Sequence, residues 1–62
     1  MSVCEILERE RDIYRRICRK CTFDEKLVLL DHRGDWQSYR RELYRLAVKY
    51  RILQEGDRPP EL

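Results

Sequence analysis

The most regular pattern of apolar residues lies in the second half of the chain. Large apolar side chains recur there at alternating intervals of three and four residues, at Trp36, Tyr39, Leu43, Leu46, Tyr50 and Leu53. This spacing places them on one stripe of an α-helix, which a globular protein buries against its neighbours. We therefore predict a helix over residues 35–55, with Asp35 as its N-cap and Gly34 as the stop of the preceding segment.

A second amphipathic helix is predicted at the N-terminus, over residues 2–21. Its apolar face consists of Val3, Ile6, Leu7, Ile13, Tyr14, Ile17 and Cys21. Ser2 and Glu5 have the spacing of a capping box, in which each side chain satisfies the backbone N–H of the other residue. The spacing therefore predicts that the helix begins at the very start of the chain.

A short middle helix is predicted over residues 23–32. Thr22 and Glu25 repeat the capping-box spacing, and the run Leu27–Leu30 is apolar enough for a buried segment. One continuous helix through this region is the alternative, since no glycine or proline enforces a break. Such a helix would be ~46 Å long, against ~30 Å for the C-terminal helix, so a third of it would lack a packing partner.

Together these elements predict an all-α chain, a small bundle or hairpin of two long amphipathic helices with a short middle helix. Residues 1–55 form one helical domain, and a glycine and two prolines predict a flexible polar tail over residues 56–62. A chain of 62 residues buries only ~60% of its unfolded surface. We therefore expect a dimer, because a partner subunit adds stability to so small a scaffold.

A second apolar row on the C-terminal helix indicates where that partner would bind. The row lies on a different face from the main stripe, its members are spaced by four residues, and arginines border it. An aligned row of this kind resembles an interface more than a face made for solvent. The candidate interface of the predicted homodimer consists of Arg40, Arg41, Tyr44, Val48, Arg51 and Ile52.

Glu10 interrupts the apolar face of the N-terminal helix. A carboxylate in such a place is costly unless it is paired and hydrogen-bonded. Single polar residues at core positions can fix the register and the oligomeric state of a helical assembly. Glu10 either has that role, or it lies at the edge of the stripe and reaches water.

Charge patterning raises nucleic-acid binding as the alternative function. Charged residues make up 42% of the chain, but the net charge is only +2. Eleven arginines and three lysines alternate with aromatic residues, as in helices that contact phosphates, although such domains usually carry a larger positive excess. The candidate contacts of a nucleic-acid-binding helical dimer are Arg15, Arg16, Arg19, Lys20, Arg40, Arg41, Arg45 and Lys49. A helix-turn-helix across residues 32–35 is disfavoured, because Arg40 would fall on a core position and Trp36 would turn inward.

Cys18 and Cys21 form a CxxC pair at the C-terminal end of a predicted helix, where the helix dipole opposes thiolate formation. Redox activity is therefore not expected. Zinc binding by this pair and His32 would need a fourth ligand. Cys4 lies ~21 Å away along the same helix, so the site would require two chains or a carboxylate such as Asp31.

An odd number of cysteines disfavours a secreted disulfide framework and predicts a cytoplasmic location.

No motif in the chain points to catalysis. His32 has no nucleophile or paired acid converging on it, and the only two glycines, Gly34 and Gly56, cannot form a phosphate-binding loop. We expect no enzyme activity, no catalytic residue, no cofactor, no metal and no small-molecule substrate.

The longest apolar run is far shorter than a ~20-residue membrane span, and no signal peptide is visible, so no membrane partner is expected.

We therefore predict a small non-enzymatic interaction or regulatory protein that binds a larger protein partner as a homodimer. In size and gross layout, with two amphipathic helices and a polar tail, the chain resembles the small helical-hairpin regulators. That resemblance is one of architecture and assigns no role to any residue.

Overall fold

The computed structural model describes residues 2–60, and for Arg33 it describes the backbone alone. Over this range the chain is all-α, as predicted, and none of these residues lies in a strand. Helix α1 spans Val3–Cys18, α2 spans Phe23–Asp31 and α3 spans Trp36–Lys49. A 3-10 turn at His32–Gly34 connects α2 to α3.

The predicted break between the first two helices is confirmed, and the continuous helix is wrong. After α1 ends, the N–H groups of Lys20 and Cys21 both donate to the carbonyl oxygen of Ile17, at 2.9 and 2.8 Å. The Glu25 N–H then donates to Thr22 Oγ1 at 3.2 Å, and the Thr22 N–H donates to Glu25 Oε1 at 2.9 Å. This reciprocal capping box starts a new helix because it satisfies two backbone donors that lack helical partners.

Helix α3 begins where the sequence predicts. The Ser38 N–H donates to Asp35 Oδ1 at 3.3 Å, and the Ser38 hydroxyl donates to Asp35 Oδ2 at 2.6 Å. These hydrogen bonds from Ser38 lower the pKa of Asp35, because they stabilise the ionised carboxylate. Asp35 is therefore the N-cap of α3, as expected.

The end of α3 differs from the prediction, at Lys49 rather than near residue 55. Arg51 has a φ of 61°, and its N–H donates to the Val48 carbonyl oxygen at 3.0 Å. The Ile52 N–H donates to the Ala47 carbonyl oxygen at 2.8 Å. This pair of bonds is a Schellman motif with an arginine in the left-handed position that glycine usually occupies. The helix ends early because the apolar residues that follow turn back and pack against the core.

One face of each helix contributes to the core. The buried apolar residues are Ile6, Ile13, Ile17, Leu29, Leu43, Tyr44, Leu46 and Ala47. Half-buried side chains, Tyr39 and Tyr50 among them, pack around this cluster, so most of the predicted stripe of α3 is internal. Trp36 departs from the prediction, because 51% of its surface is exposed.

An ion pair and a tyrosine connect the start of α2 to the end of α3. Lys49 Nζ donates to Glu25 Oε2 at 2.6 Å, and the Tyr50 hydroxyl donates to Glu25 Oε1. These two hydrogen bonds hold the pKa of Glu25 at about 2, against an ordinary value of 4.5. The carboxylate that caps α2 thereby also fixes where α2 lies along α3.

Candidate interaction surface

Helix α2 leaves most of its apolar side chains exposed, so the prediction of a buried middle helix is wrong. Only Leu29 is buried, whereas Leu27, Val28 and Leu30 keep 46%, 43% and 44% of their surface exposed. Phe23 is 72% exposed. A helix can bury only one stripe against its neighbours, and consecutive apolar residues point to all sides. The spacing of Phe23, Leu27 and Leu30 places these three on one exposed stripe.

The stripe meets a groove of about 440 Å³. Its walls come from all three helices and include Leu7, Arg11, Tyr14, Leu30, Trp36 and Tyr39. The Trp36 and Tyr39 rings stack with their centroids 5.8 Å apart, and the Tyr39 and Tyr14 centroids lie 6.5 Å apart. We call this groove, together with the exposed stripe of α2, the open face. Leu30 belongs to both parts and makes them continuous.

Glu10 lines the groove and anchors a buried polar network. Arg40 Nε donates to Glu10 Oε1 at 2.9 Å, and Arg40 Nη2 donates to Glu10 Oε2 at 2.6 Å. The Tyr44 hydroxyl donates to Glu10 Oε2 at 3.0 Å. Only 5% of Glu10 is exposed, so the interpretation that it reaches water is wrong. The carboxylate pairs within its own chain, and the hydrogen bonds that the Arg40 guanidinium donates to Glu10 raise the pKa of Arg40.

The predicted interface residues, which lie on α3 and in the turn after it, do not share one exposed surface. Arg40 and Tyr44 are buried, with 7% and 3% of their surface exposed. Val48 and Ile52 are half-buried, and only Arg41 and Arg51 are exposed.

The segment after α3 lies beside the row that contains Tyr44 and Val48. Arg40 Nη2 donates to the Pro60 carbonyl oxygen at 2.8 Å. Residues 56–59 line a depression together with Tyr44 and Val48. The predicted flexibility of residues 56–62 stays a prediction, and its last two residues lie outside the described range.

The candidate nucleic-acid contacts fall into three groups. Arg40 is enclosed in the network around Glu10. Three others are paired with carboxylates, Arg16 with Asp12, Arg45 with Glu42 and Lys49 with Glu25. The remaining four are exposed and take no part in the ion pairs of the described residues: Arg15, Arg19, Lys20 and Arg41. The structure therefore encloses one of the eight residues, Arg40, and leaves the other seven exposed. The structure removes both arguments against a helix-turn-helix. Glu10 compensates the charge of the buried Arg40, and the Trp36 side chain is exposed rather than turned inward.

The thiols and the histidine form no visible reactive centre within residues 2–60. Cys4 is exposed, and Cys18 and Cys21 are half-buried. Burial, together with the neighbouring Cys18, raises the pKa of the Cys21 thiol, which is the reverse of what a redox thiol needs. His32 is the C-cap of α2. Among the described residues, no three His, Cys, Asp or Glu side chains gather where a metal ion could bind.

Sequence reasoning placed the candidate interface on the C-terminal helix and did not single out Leu7, Leu30 or Trp36 as exposed surface residues. One signal was present, because a run of four apolar residues is more than a short helix can bury on one side. For Trp36 no such signal existed, since its spacing fits the buried stripe of α3.

No protein-family model, no curated protein sequence and no solved structure matches this chain. None of the helices in the described range combines the length and the apolar character needed to cross a membrane.

Proposed function

We propose that this protein is a non-enzymatic interaction protein that acts by binding a larger protein through its open face. The observation that supports this proposal is the exposure of Leu27, Leu30 and Trp36, each between 44% and 51%. Single exposed apolar residues are ordinary, but a contiguous apolar surface beyond roughly a few hundred Å² marks an interaction site in small proteins. Here a stripe and a groove share Leu30, so the exposed residues form one surface.

The chemistry of the open face favours a helix of a partner protein as its occupant. Leucine and aromatic side chains line the groove, which suits the apolar face of an amphipathic helix. Arg11 lies at its rim, where it would pair with an acidic residue on the flank of that helix. Trp36 supplies an exposed aromatic ring of the kind that dominates binding energy at interfaces.

A protein partner is favoured over a nucleic acid by the state of the arginines. A guanidinium that is held by Glu10, as in Arg40, is not available to a phosphate. The groove is lined by leucines, and one face of the Trp36 ring is already stacked on Tyr39. Base-stacking platforms need aromatic rings with free faces, and in this groove the rings of Trp36 and Tyr39 stack on each other.

We further propose a homodimeric state and a cytoplasmic location. The small size of the chain supports the first. Three cysteines without a disulfide support the second, because thiols stay reduced in the cytosol.

Capture of partners from the native host tests the proposed function. The tagged wild-type protein, a Leu30→Glu variant and a Gln54→Glu control are compared, each with and without nuclease. Gln54 is exposed and lies outside the open face, so its variant adds the same charge elsewhere. We expect a protein that is captured by the wild type and by the control, survives nuclease and is lost with Leu30→Glu. Capture that disappears with nuclease would contradict the proposal in favour of a nucleic-acid partner.

A further inference from the structure

We propose that α2 of a second copy of this chain occupies the open face in the free protein. The inference rests on the proposed function, because the second copy and the larger partner would then compete for the same surface. The exposed stripe of α2 and the apolar groove meet at Leu30, so each protomer carries the helix and the groove that would bind it next to each other. A two-fold axis near Leu30 would place α2 of each protomer in the groove of its partner. Such an isologous interface makes every contact twice.

Charges at the edges of the two elements are complementary. Along α1, Arg11 lines the groove, and Arg15 and Arg19 follow it at intervals of four residues on the same side of the helix. On α2, Asp24 and Asp31 flank the exposed apolar stripe. The two acids are separated by ~10.5 Å along their helix, and the outer arginines by ~12 Å. An α2 that enters the partner's groove can therefore bring its acidic edge against the basic edge of α1.

Two of these charges, Arg11 and Asp31, have no local explanation within one protomer, whereas Arg15 and Asp24 lie in helix turns whose dipole favours their charges. Arg11, Arg15 and the two aspartates are exposed, and none belongs to an ion pair of the described residues. Asp31 lies at the C-terminal end of α2, where the helix dipole disfavours a carboxylate. A basic partner across an interface would remove that disadvantage.

Helix α2 has nine residues and is ~13 Å long, so its whole length can lie against one protomer, whose longest extent is 32 Å. The contact would cover the largest exposed apolar side chains of a chain too small to bury them alone.

Exchange of charges between the two edges tests the proposal. One variant carries Asp24→Lys and Asp31→Lys, and the other carries Arg11→Glu and Arg15→Glu. We expect the wild type to sediment as a dimer, and each variant alone to show a dissociation constant raised about tenfold or more, because like charges then face each other. An equimolar mixture of the two variants should recover the dimer, since each basic α2 then meets an acidic α1.

One control and one fallback variant accompany these measurements. Arg41→Glu with Arg58→Glu makes the same change of net charge as Arg11→Glu with Arg15→Glu, but away from the open face, and should leave the dissociation constant unchanged. Asp24 lies in the first turn of α2, where a negative charge supports the helix, so Asp31→Lys alone serves as a second variant if the double variant loses helicity by circular dichroism.

A wild-type chain that stays monomeric at high micromolar concentration would overturn the second copy as occupant, as would a mixture that fails to recover the dimer. The proposed function fails separately. If the wild type is monomeric and Leu30→Glu still abolishes capture of a host protein, the open face binds another protein, and only the identity of the occupant is wrong.

Discussion

Two apolar surfaces of this protein differ in how far its own chain covers them. The row of Tyr44, Val48 and Ile52, which we call the covered row, is half-buried or buried. Tyr44 belongs to the core and Ile52 packs against it, while residues 56–59 lie beside Tyr44 and Val48. The open face, with Leu30 and Trp36, has no such cover from the described chain. The C-terminal segment beside the covered row is hydrogen-bonded to α3, because Arg40 donates to the Pro60 carbonyl oxygen. Exposed apolar residues therefore indicate a partner only where the chain itself does not return to cover them.

The largest expected effect comes from breaking the network that holds the covered row. Glu10→Ala leaves the guanidinium of Arg40 buried without its counter-charge. We expect a loss of about 3–5 kcal/mol in the free energy of unfolding, measured with urea. The double variant Glu10→Leu with Arg40→Met removes both charges together and should lose much less. Equal losses for the two variants would show that the ion pair is not what stabilises this side of the molecule.

Two neighbouring leucines of α2 give a matched comparison of core and open face. Leu29 is fully buried and Leu30 is 44% exposed. We expect Leu29→Ala to cost about 2–5 kcal/mol of unfolding free energy through the cavity it leaves. Leu30→Ala should stay within about 0.5 kcal/mol at concentrations too low for association. A larger loss for Leu30→Ala than for Leu29→Ala would show that Leu30, and not Leu29, faces the core.

Removal of residues 58–62 tests whether the covered row depends on the C-terminal segment. The truncation deletes the carbonyl oxygen of Pro60 that accepts from Arg40. A hydrogen bond to a charged group contributes about 1.5–3 kcal/mol, so the unfolding free energy should fall by about that amount. Hydrogen exchange around Tyr44 should rise in parallel. An unchanged stability would instead support the sequence-based expectation of a flexible tail.

A substitution at the end of α3 should strengthen the turn that starts this segment. Arg51 has a left-handed backbone conformation, which costs a residue with a Cβ atom about 1 kcal/mol. We expect Arg51→Gly to raise the thermal midpoint by a few degrees, because glycine adopts this conformation without that cost. The control is Arg41→Gly in the helix interior, which should lower the midpoint. A destabilised Arg51→Gly would argue against the Schellman motif.

The smallest effect is expected from the carboxylate that ties α2 to α3. The pKa of Glu25 is lowered to about 2 in the folded chain, from 4.5. A lowered folded-state pKa contributes stability above the unfolded-state value, and this contribution is lost as the pH falls from about 4.5 towards 2. The unfolding free energy, measured with urea at several pH values in that range, should change less with pH for Glu25→Gln than for the wild type. An identical pH dependence would mean that Lys49 and Tyr50 do not stabilise the ionised carboxylate.

The sequence by itself determined the helices and where they begin. Asp35, Thr22 and Ser2 accept from backbone N–H groups within three residues of themselves, and hydrogen bonds that local can be read from spacing alone. The all-α class and the apolar stripe on α1 follow from the same short-range periodicity. These features were predictable because they need no knowledge of what lies across the molecule.

Only the tertiary structure decided which apolar side chains are buried and which charged side chains are paired within the chain. Glu10 and Arg40 are thirty residues apart, so no local pattern announced their pairing. Their contact encloses Arg40, which the sequence placed in both the candidate interface and the candidate nucleic-acid set. The early end of α3 likewise depends on Ile52 turning back onto the core. The periodicity of Trp36 and Leu30 matches that of buried residues, because spacing fixes the face of a helix but not what packs against it.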